Sequence, residues 1–276
     1  MLSEGTKTLS VGHQQDVPLS FDIFTDFPEF VIDDTVKEMM MDRLGIISTA
    51  TVMGRSDLLN KSSIEFLKTE FGETSVCLTN QVALILRHGN DPENHILPHR
   101  INYRANLKAL QDVGVSETIS INSTGSLKQD LKPGTIIVPD DFISLNPTPS
   151  IYNREAVHIT PALNETIRQR IIRAAENIHV QTVQKGTYWQ TTGPRLETKA
   201  EIRMMANFAD MVGMTMANEA VIAQELEMPY ASICTIDNYA NGLAEQPLGI
   251  EEIFKGTRKN ADRMLQIVKS YIQLFY

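Results

Sequence analysis

The sequence predicts an α/β fold, a single domain with a mixed central β-sheet flanked by helices. Three observations predict it. From Leu44 onward, short β-branched runs alternate with amphipathic stretches, the texture of a sheet covered by helices. Two of those runs, 75–79 and 82–87, are separated only by Asn80 and Gln81, which calls for a tight hairpin and hence an antiparallel pair within the sheet. A chain of 276 residues with 42% hydrophobic content can bury one large core.

Taken in order, residues 1–43 mix Gly, Pro, Gln and acidic side chains without a sustained period of 2 or 3.6, and read as an N-terminal extension to a domain at 44–276. Apolar and β-branched runs place strands at 44–52, 75–79, 82–87, 118–123, 135–139, 183–191, 211–214 and 230–236. Helices are expected at 102–113, 161–178, 198–208, 218–226 and 250–275. In the last of these, Ile253, Ala261, Leu265, Val268 and Ile272 share a face that Lys255, Arg258 and Lys269 avoid.

The net charge of -9 and pI near 5.2 speak against nucleic acid as a partner, while leaving room for a local pocket that binds one phosphate. Cys77 and Cys234 each sit in an apolar run, the placement of buried thiols in a reducing compartment, so neither a disulfide nor a metal site is expected. No segment approaches ~20 continuous apolar residues. The chain is therefore read as cytoplasmic, with no membrane partner.

Function is sought where strands end, because ligands of α/β folds gather there. Arg87-His88-Gly89 follows the run VALIL; a guanidinium suits an anion through paired donors, and equally ends a strand in solvent. His88 by itself is equally a structural histidine. At Asn122-Ser123-Thr124-Gly125-Ser126, small polar side chains and a glycine let backbone amides approach an anion, although a plain turn has the same composition. In Thr191-Thr192-Gly193-Pro194-Arg195-Leu196-Glu197-Thr198, Glu197 either complements a helix start or accepts from the ring nitrogens of a base, with Arg195 anchoring the loop. Met214 and Thr215 fit a sugar face and a phosphate, or core and helix cap. The last junction is Asp237-Asn238-Tyr239-Ala240-Asn241-Gly242.

Together and in this order, RHG with INYRANLKAL, NSTGSL, GPRLET with AEIR, and VGMTMANEA resemble the trimeric nucleoside phosphorylase family, in particular its methylthioadenosine and methylthioinosine branch. The resemblance runs from about Leu44 to Ser270. It implies a nucleoside phosphorylase-like fold and phosphorolysis of a purine nucleoside, carrying either a 6-oxopurine or a 5′-methylthio group. Arg87, His88, Ser123, Thr124 and Thr215 would hold phosphate, together with the hydroxyls of Thr49 and Thr51 in the first loop. Glu197 and Asn238 would face the purine and, with His88, carry the catalysis. Met214, Leu196, Asp237 and Tyr239 would line the substrate. Asn at position 238 and Ala at 240 lean toward 6-oxopurines, while Asp237 keeps adenine open. Inorganic phosphate would be a co-substrate, no cofactor would be needed, and the enzyme would be a homotrimer.

One departure stands out. The family's first phosphate loop reads roughly G-G-[ST]-G-L, and this chain has Ser48-Thr49-Ala50-Thr51-Val52. Methyl groups replace the glycines where backbone would touch phosphate. Two alternatives follow: a nucleosidase that uses water, or a nucleoside-binding homologue without catalysis.

Overall fold

In the computed structural model, which describes residues 42–54, 56–57, 62–89, 94–244 and 249–276 of a unit spanning Met40–Tyr276, the sheet is organised around one long central strand, Val115–Ser126. The expected N-terminal extension lies outside the described residues apart from its last two.

In chain order the strands are β1 (Arg43–Ser48), β2 (Ser63–Thr69), β3 (Gly72–Leu78), β4 (Val82–Leu86), β5 (Val115–Ser126), β6 (Ile136–Ile137), β7 (Asp141–Ser144), β8 (Thr187–Gln190), β9 (Met211–Gly213) and β10 (Tyr230–Tyr239). The helices are α1 (Ala50–Met53), α2 (Tyr103–Asp112), α3 (Glu165–Asn177), α4 (Lys199–Met205), α5 (Met216–Glu225) and α6 (Ile250–Phe275). The sheet runs β2-β3-β4-β1-β5-β9-β8-β7, with β10 branching from β5 and β6 pairing with β10. It is mixed, as expected: β1 is parallel to β4 and β5, β10 is parallel to β5, and β9 is antiparallel to β5. The hairpin at Asn80-Gln81 forms, with Thr79 N–H donating to Val82 O at 2.9 Å and Cys77 opposite Leu84.

Apolar side chains fill both faces. On one, α1, α3 and α6 pack Val52, Ile167, Ile171, Leu265 and Val268 against Ile46, Ile119 and Ile233 of the sheet. On the other, α2 and α5 press Leu107, Leu110 and Ile222 against Ile47, Ile85 and Tyr230. Cys77 and Cys234 are buried free thiols. Among the described residues no helix is long and apolar enough to cross a membrane.

The differences from expectation have local causes. The strand expected at 44–52 stops at Ser48, because Thr49 takes extended backbone and caps the single turn α1 with its hydroxyl (Val52 N–H to Oγ1, 3.4 Å). β2 and β7 were not expected. β2 is an edge strand with Phe66 83% exposed, so its apolar residues do not trace a buried face. The run 135–139 keeps only two strand residues, and Val183 contributes one isolated bridge to Ile137 before β8 begins.

Candidate active site

Strand β5 is long enough to be paired on one edge by two different partners. β1 leaves that edge at Ser120 and β9 joins it at Gly125, while β10 covers the opposite edge from Thr118 to Ser126. Residues 121–124 therefore meet no described strand on one side. Strand alternation turns the backbone N–H and C=O of Ser123 toward this gap. The ends of β1, β4, β9 and β10 surround it, which makes it the counterpart of the crevice where strand order reverses in open α/β sheets.

Beneath the gap lies a buried polar network. Arg87, 2% exposed, pairs with Glu219, 1% exposed: Nε lies 2.7 Å from Oε1 as an ion contact and not an aligned hydrogen bond, and Nη2 donates to Oε2 at 3.3 Å. The guanidinium also donates to Ile121 O at 2.8 Å, inside the gap, and to Ile47 O at 3.0 Å. Burial pushes the Glu219 pKa up, and the Arg87 charge pulls it back. Tyr230 OH donates to Glu219 at 2.8 Å, Ser120 bonds Tyr230 at 2.5 Å, and Asn122 donates to Ser120 and Ser232 at 2.6 and 2.8 Å. Thr215 Oγ1 closes the chain by donating to Asn122 Oδ1 at 2.8 Å.

Thr215 is the N-cap residue of α5, yet its side chain does not cap. An N-cap threonine normally accepts from its own helix. Here Tyr188 OH accepts from the N–H groups of Thr215 and Met216 (3.1 and 3.4 Å), and Gln190 Oε1 accepts from Ala217 N–H at 3.0 Å. β8 thus caps α5, and the hydroxyl is left for Asn122.

At the far end of the gap, a one-residue bulge interrupts β10: Ile236 faces Thr124 and Asn238 faces Gly125, so Asp237 is the extra residue. Its carboxylate turns into α6, accepting from Thr257 Oγ1 and Asn260 Nδ2, each at 2.7 Å. Gly256 permits this approach, because a Cβ there would lie 2.2 Å from Asp237 O. Asn238 is buried over Gly125, its Nδ2 donating to Tyr239 O at 2.9 Å. Tyr239 points away, donating to Gln129 O at 3.2 Å.

The loop after β8 supplies Glu197. Its carboxylate is buried and takes the Thr191 hydroxyl at 2.7 Å, and its carbonyl accepts from Asn241 at 2.9 Å, which ties this loop to the end of β10. Glu197 does not cap α4. That task falls to Thr198 and Glu201 in a reciprocal capping box, and Arg195 grips Glu201 with two hydrogen bonds of 2.9 and 2.7 Å, holding its carboxyl down to about 2. Gly193 has φ +63°, and a Cβ on it would lie 2.4 Å from Met214 Sδ. Leu196 is half-buried in the same loop.

The opposite rim is differently built. Ser48 is fully buried and its hydroxyl has no hydrogen-bond partner among the described residues. Thr49 and Thr51 are half-buried in and beside α1. His88 bonds Ile96 O through Nδ1 at 2.7 Å and stacks on His95; burial lowers its pKa to about 4, so the ring is neutral near pH 7. Ser123 Oγ lies 3.3 Å from Thr257 Oγ1, and Thr124 donates to Thr235 O at 2.8 Å.

Residues 46–273 match the family described as the phosphorylase superfamily. The chain belongs to that superfamily. It is 42% identical over 193 residues to a probable 6-oxopurine nucleoside phosphorylase of Archaeoglobus fulgidus, covering 70% of this chain and 79% of that protein. It is 38% identical over 226 residues to a probable S-methyl-5′-thioinosine phosphorylase of Methanocaldococcus jannaschii, covering 79% and 88%. A solved methylthioadenosine phosphorylase from Schistosoma mansoni, in complex with adenine, superposes with a TM-score of 0.77 at 24% identity over 84% of this chain and 91% of that one; at this identity the likeness speaks for the fold.

The structure brings several of the sequence-predicted residues together at one gap and places others, not predicted, behind them. Arg87, Ser123, Thr124, Met214, Thr215 and Asn238 all border or underlie the gap, and the loop that carries Leu196 and Glu197 is tied to the end of β10. Asp237 and Tyr239 instead direct their polar groups to α6 and to Gln129. The supporting residues Tyr188, Gln190, Tyr230, Thr257 and Asn260 were not singled out. A signal existed for the network around them: Thr118, Ser120 and Asn122 alternate with Ile119 and Ile121 along a buried strand, and Ser232 stands between Ala231 and Ile233 in β10.

Proposed function

We propose that this phosphorylase superfamily member cleaves the N-glycosidic bond of a 6-oxopurine nucleoside with phosphate as the attacking group. The observation that carries the reading is the pairing of a buried amide, Asn238, with a buried carboxylate, Glu197, while Asp237 spends both oxygens on α6. An amide can donate to purine nitrogen-7 as negative charge gathers there, and Glu197 can accept from the protonated N–H of a 6-oxopurine. The names of the two archaeal relatives support the same substrate class, with a 5′-hydroxyl or a 5′-methylthio sugar.

In this reading phosphate lies in the gap. Arg87, His88, the backbone of Ser123 and Thr124, Thr215 and the hydroxyls of Thr49 and Thr51 surround it, with Met214 under the ribose and Leu196 beside the base. The C1′–N9 bond breaks ahead of attack, so positive charge appears on the sugar next to phosphate and negative charge on the purine next to Asn238. A phosphate oxygen then bonds C1′ as the loss of the C1′–N9 bond is completed, and the departing purine anion takes up a proton from solvent, giving the sugar 1-phosphate and the free base. The enzyme acts in the cytoplasm as a homotrimer, without a cofactor.

Incubation with inosine, guanosine, adenosine, methylthioinosine and methylthioadenosine, with and without phosphate, tests this. Release of 6-oxopurine only when phosphate is present is the expected result, and release from adenosine alone would sink the assignment of Asn238. One observation favours a second reading: α1 stands where a glycine loop would cradle phosphate. Base release in phosphate-free buffer would mark a nucleosidase.

A further inference from the structure

The buried network has a direction. Arg87, which can only donate, faces both Glu219 oxygens, so the carboxylate accepts and Tyr230 gives its single proton to it. Ser120 then gives its proton to the Tyr230–Glu219 pair, and its oxygen accepts from the Asn122 amide. That places the nitrogen of Asn122 toward Ser120 and Ser232 and its carbonyl toward Thr215. Thr215 has one proton, and it goes inward. No capping bond occupies the hydroxyl, since Tyr188 and Gln190 serve the start of α5.

We infer that Thr215 presents lone pairs, not a proton, to the gap, so that it recognises an O–H group of the bound substrates, and that Asn122 is the positioning residue that enforces this. The inference rests on the nucleoside-plus-phosphate reading of the site and reverses the simplest expectation, in which the threonine donates to phosphate. Two sources carry the required O–H: the P–OH of hydrogen phosphate and a hydroxyl of the sugar. The chemistry is the same for both.

Sulfate has the shape of hydrogen phosphate and, near neutral pH, its charge, but no O–H. Inosine phosphorolysis is therefore measured against phosphate with sulfate as competitor, and repeated with 2′-deoxyinosine and 3′-deoxyinosine. If P–OH is the source, sulfate binds at least about tenfold more weakly than phosphate; if the sugar is the source, one deoxynucleoside loses at least about tenfold in kcat/KM. Thr215→Val erases the discrimination and Thr215→Ser keeps it. Asn122→Ala, which releases the threonine proton toward the gap, shrinks the same ratio, whereas loss of a merely structural residue would lower Tm and leave the ratio in place. Sulfate binding as tightly as phosphate, with both deoxynucleosides turned over like inosine, overturns the inference. So does discrimination that survives Thr215→Val. Base release that ignores phosphate would instead overturn the reading of the reaction; the sugar arm is then read by calorimetry, where equal binding of inosine and both deoxynucleosides overturns the inference and a tenfold difference supports it.

Discussion

The two rims of the gap are held in different ways. At the β9 and β10 rim three side chains are fixed by partners that are themselves fixed: Thr215 by Asn122, Glu197 by Thr191, and Asp237 by Thr257 and Asn260. At the β1 and β4 rim, Arg87 aside, Ser48 has a buried hydroxyl with no hydrogen-bond partner among the described residues, Thr49 holds one long capping contact, and His88 rests on one carbonyl and the His95 ring. Preorganised donors act on a transition state because their cost of ordering is already met in folding. On the proposed function, the contrast places base and sugar recognition in the rigid part of the fold and leaves the first loop, Ser48 to Val52, as the part that departs from the family pattern.

The largest effect should come from cutting the anchor of the network. Glu219→Ala leaves the Arg87 charge buried and unpaired and removes the acceptor on which the hydroxyl chain terminates, so ~3–5 kcal/mol of stability should be lost. Denaturant unfolding checks it, and a loss below ~1 kcal/mol would mean the network is not one unit. Next comes Asn238→Ala, expected to lower kcat by roughly a hundred- to thousand-fold, or ~2.7–4 kcal/mol, with a much smaller change in Tm. Equal losses of stability and activity would recast Asn238 as structural.

Much of this asymmetry was legible in the sequence, and the limit has a physical form. A strand end that closes with Arg, Asn or Glu after an apolar run is visible one residue at a time, so Arg87, Glu197 and Asn238 stand out as candidates. The altered loop at Ser48–Thr51 was visible because glycines were missing. A supporting residue is visible only through its partner, and Thr257 and Asn260 lie on α6, about twenty residues after Asp237, in a helix whose apolar face explains itself. The turn of the Asp237 carboxylate into α6 depends on a bulge, and a bulge is a property of register between two strands that no single strand declares.

That α6 clamp gives a third test of the comparison. Gly256→Ala would force a methyl group against Asp237 O, where only 2.2 Å is open, and should cost ~1–3 kcal/mol while disturbing the aim of Asn238. Loss of kcat together with Tm is expected, with the KM for phosphate held. A raised phosphate KM would mean the two rims are coupled.

On the loose rim, pH is the probe. Burial lowers His88 from about 6.5 to about 4, so between those values the unfolded chain binds more protons than the folded one. Stability from this group is therefore present above 6.5 and is lost as pH falls toward 4. In His88→Gln the fall in Tm between pH 6.5 and 4.5 should be shallower than in the parent, and parallel curves would remove His88 as its cause.

The smallest expected effect decides whether the first loop still serves phosphate. The capping contact of Thr49 is 3.4 Å long, so Thr49→Ala should cost no more than ~0.5 kcal/mol of stability. Accepting from Val52 leaves the Thr49 proton available to an anion, and losing one hydrogen bond to a charged group should raise the phosphate KM about tenfold with kcat nearly unchanged. Thr49→Ser keeps the proton and should keep the KM. If instead Thr49→Ala binds phosphate like the parent, the anion is held from the Arg87, Ser123 and Thr215 side alone, and the loop that lost its glycines has left the site.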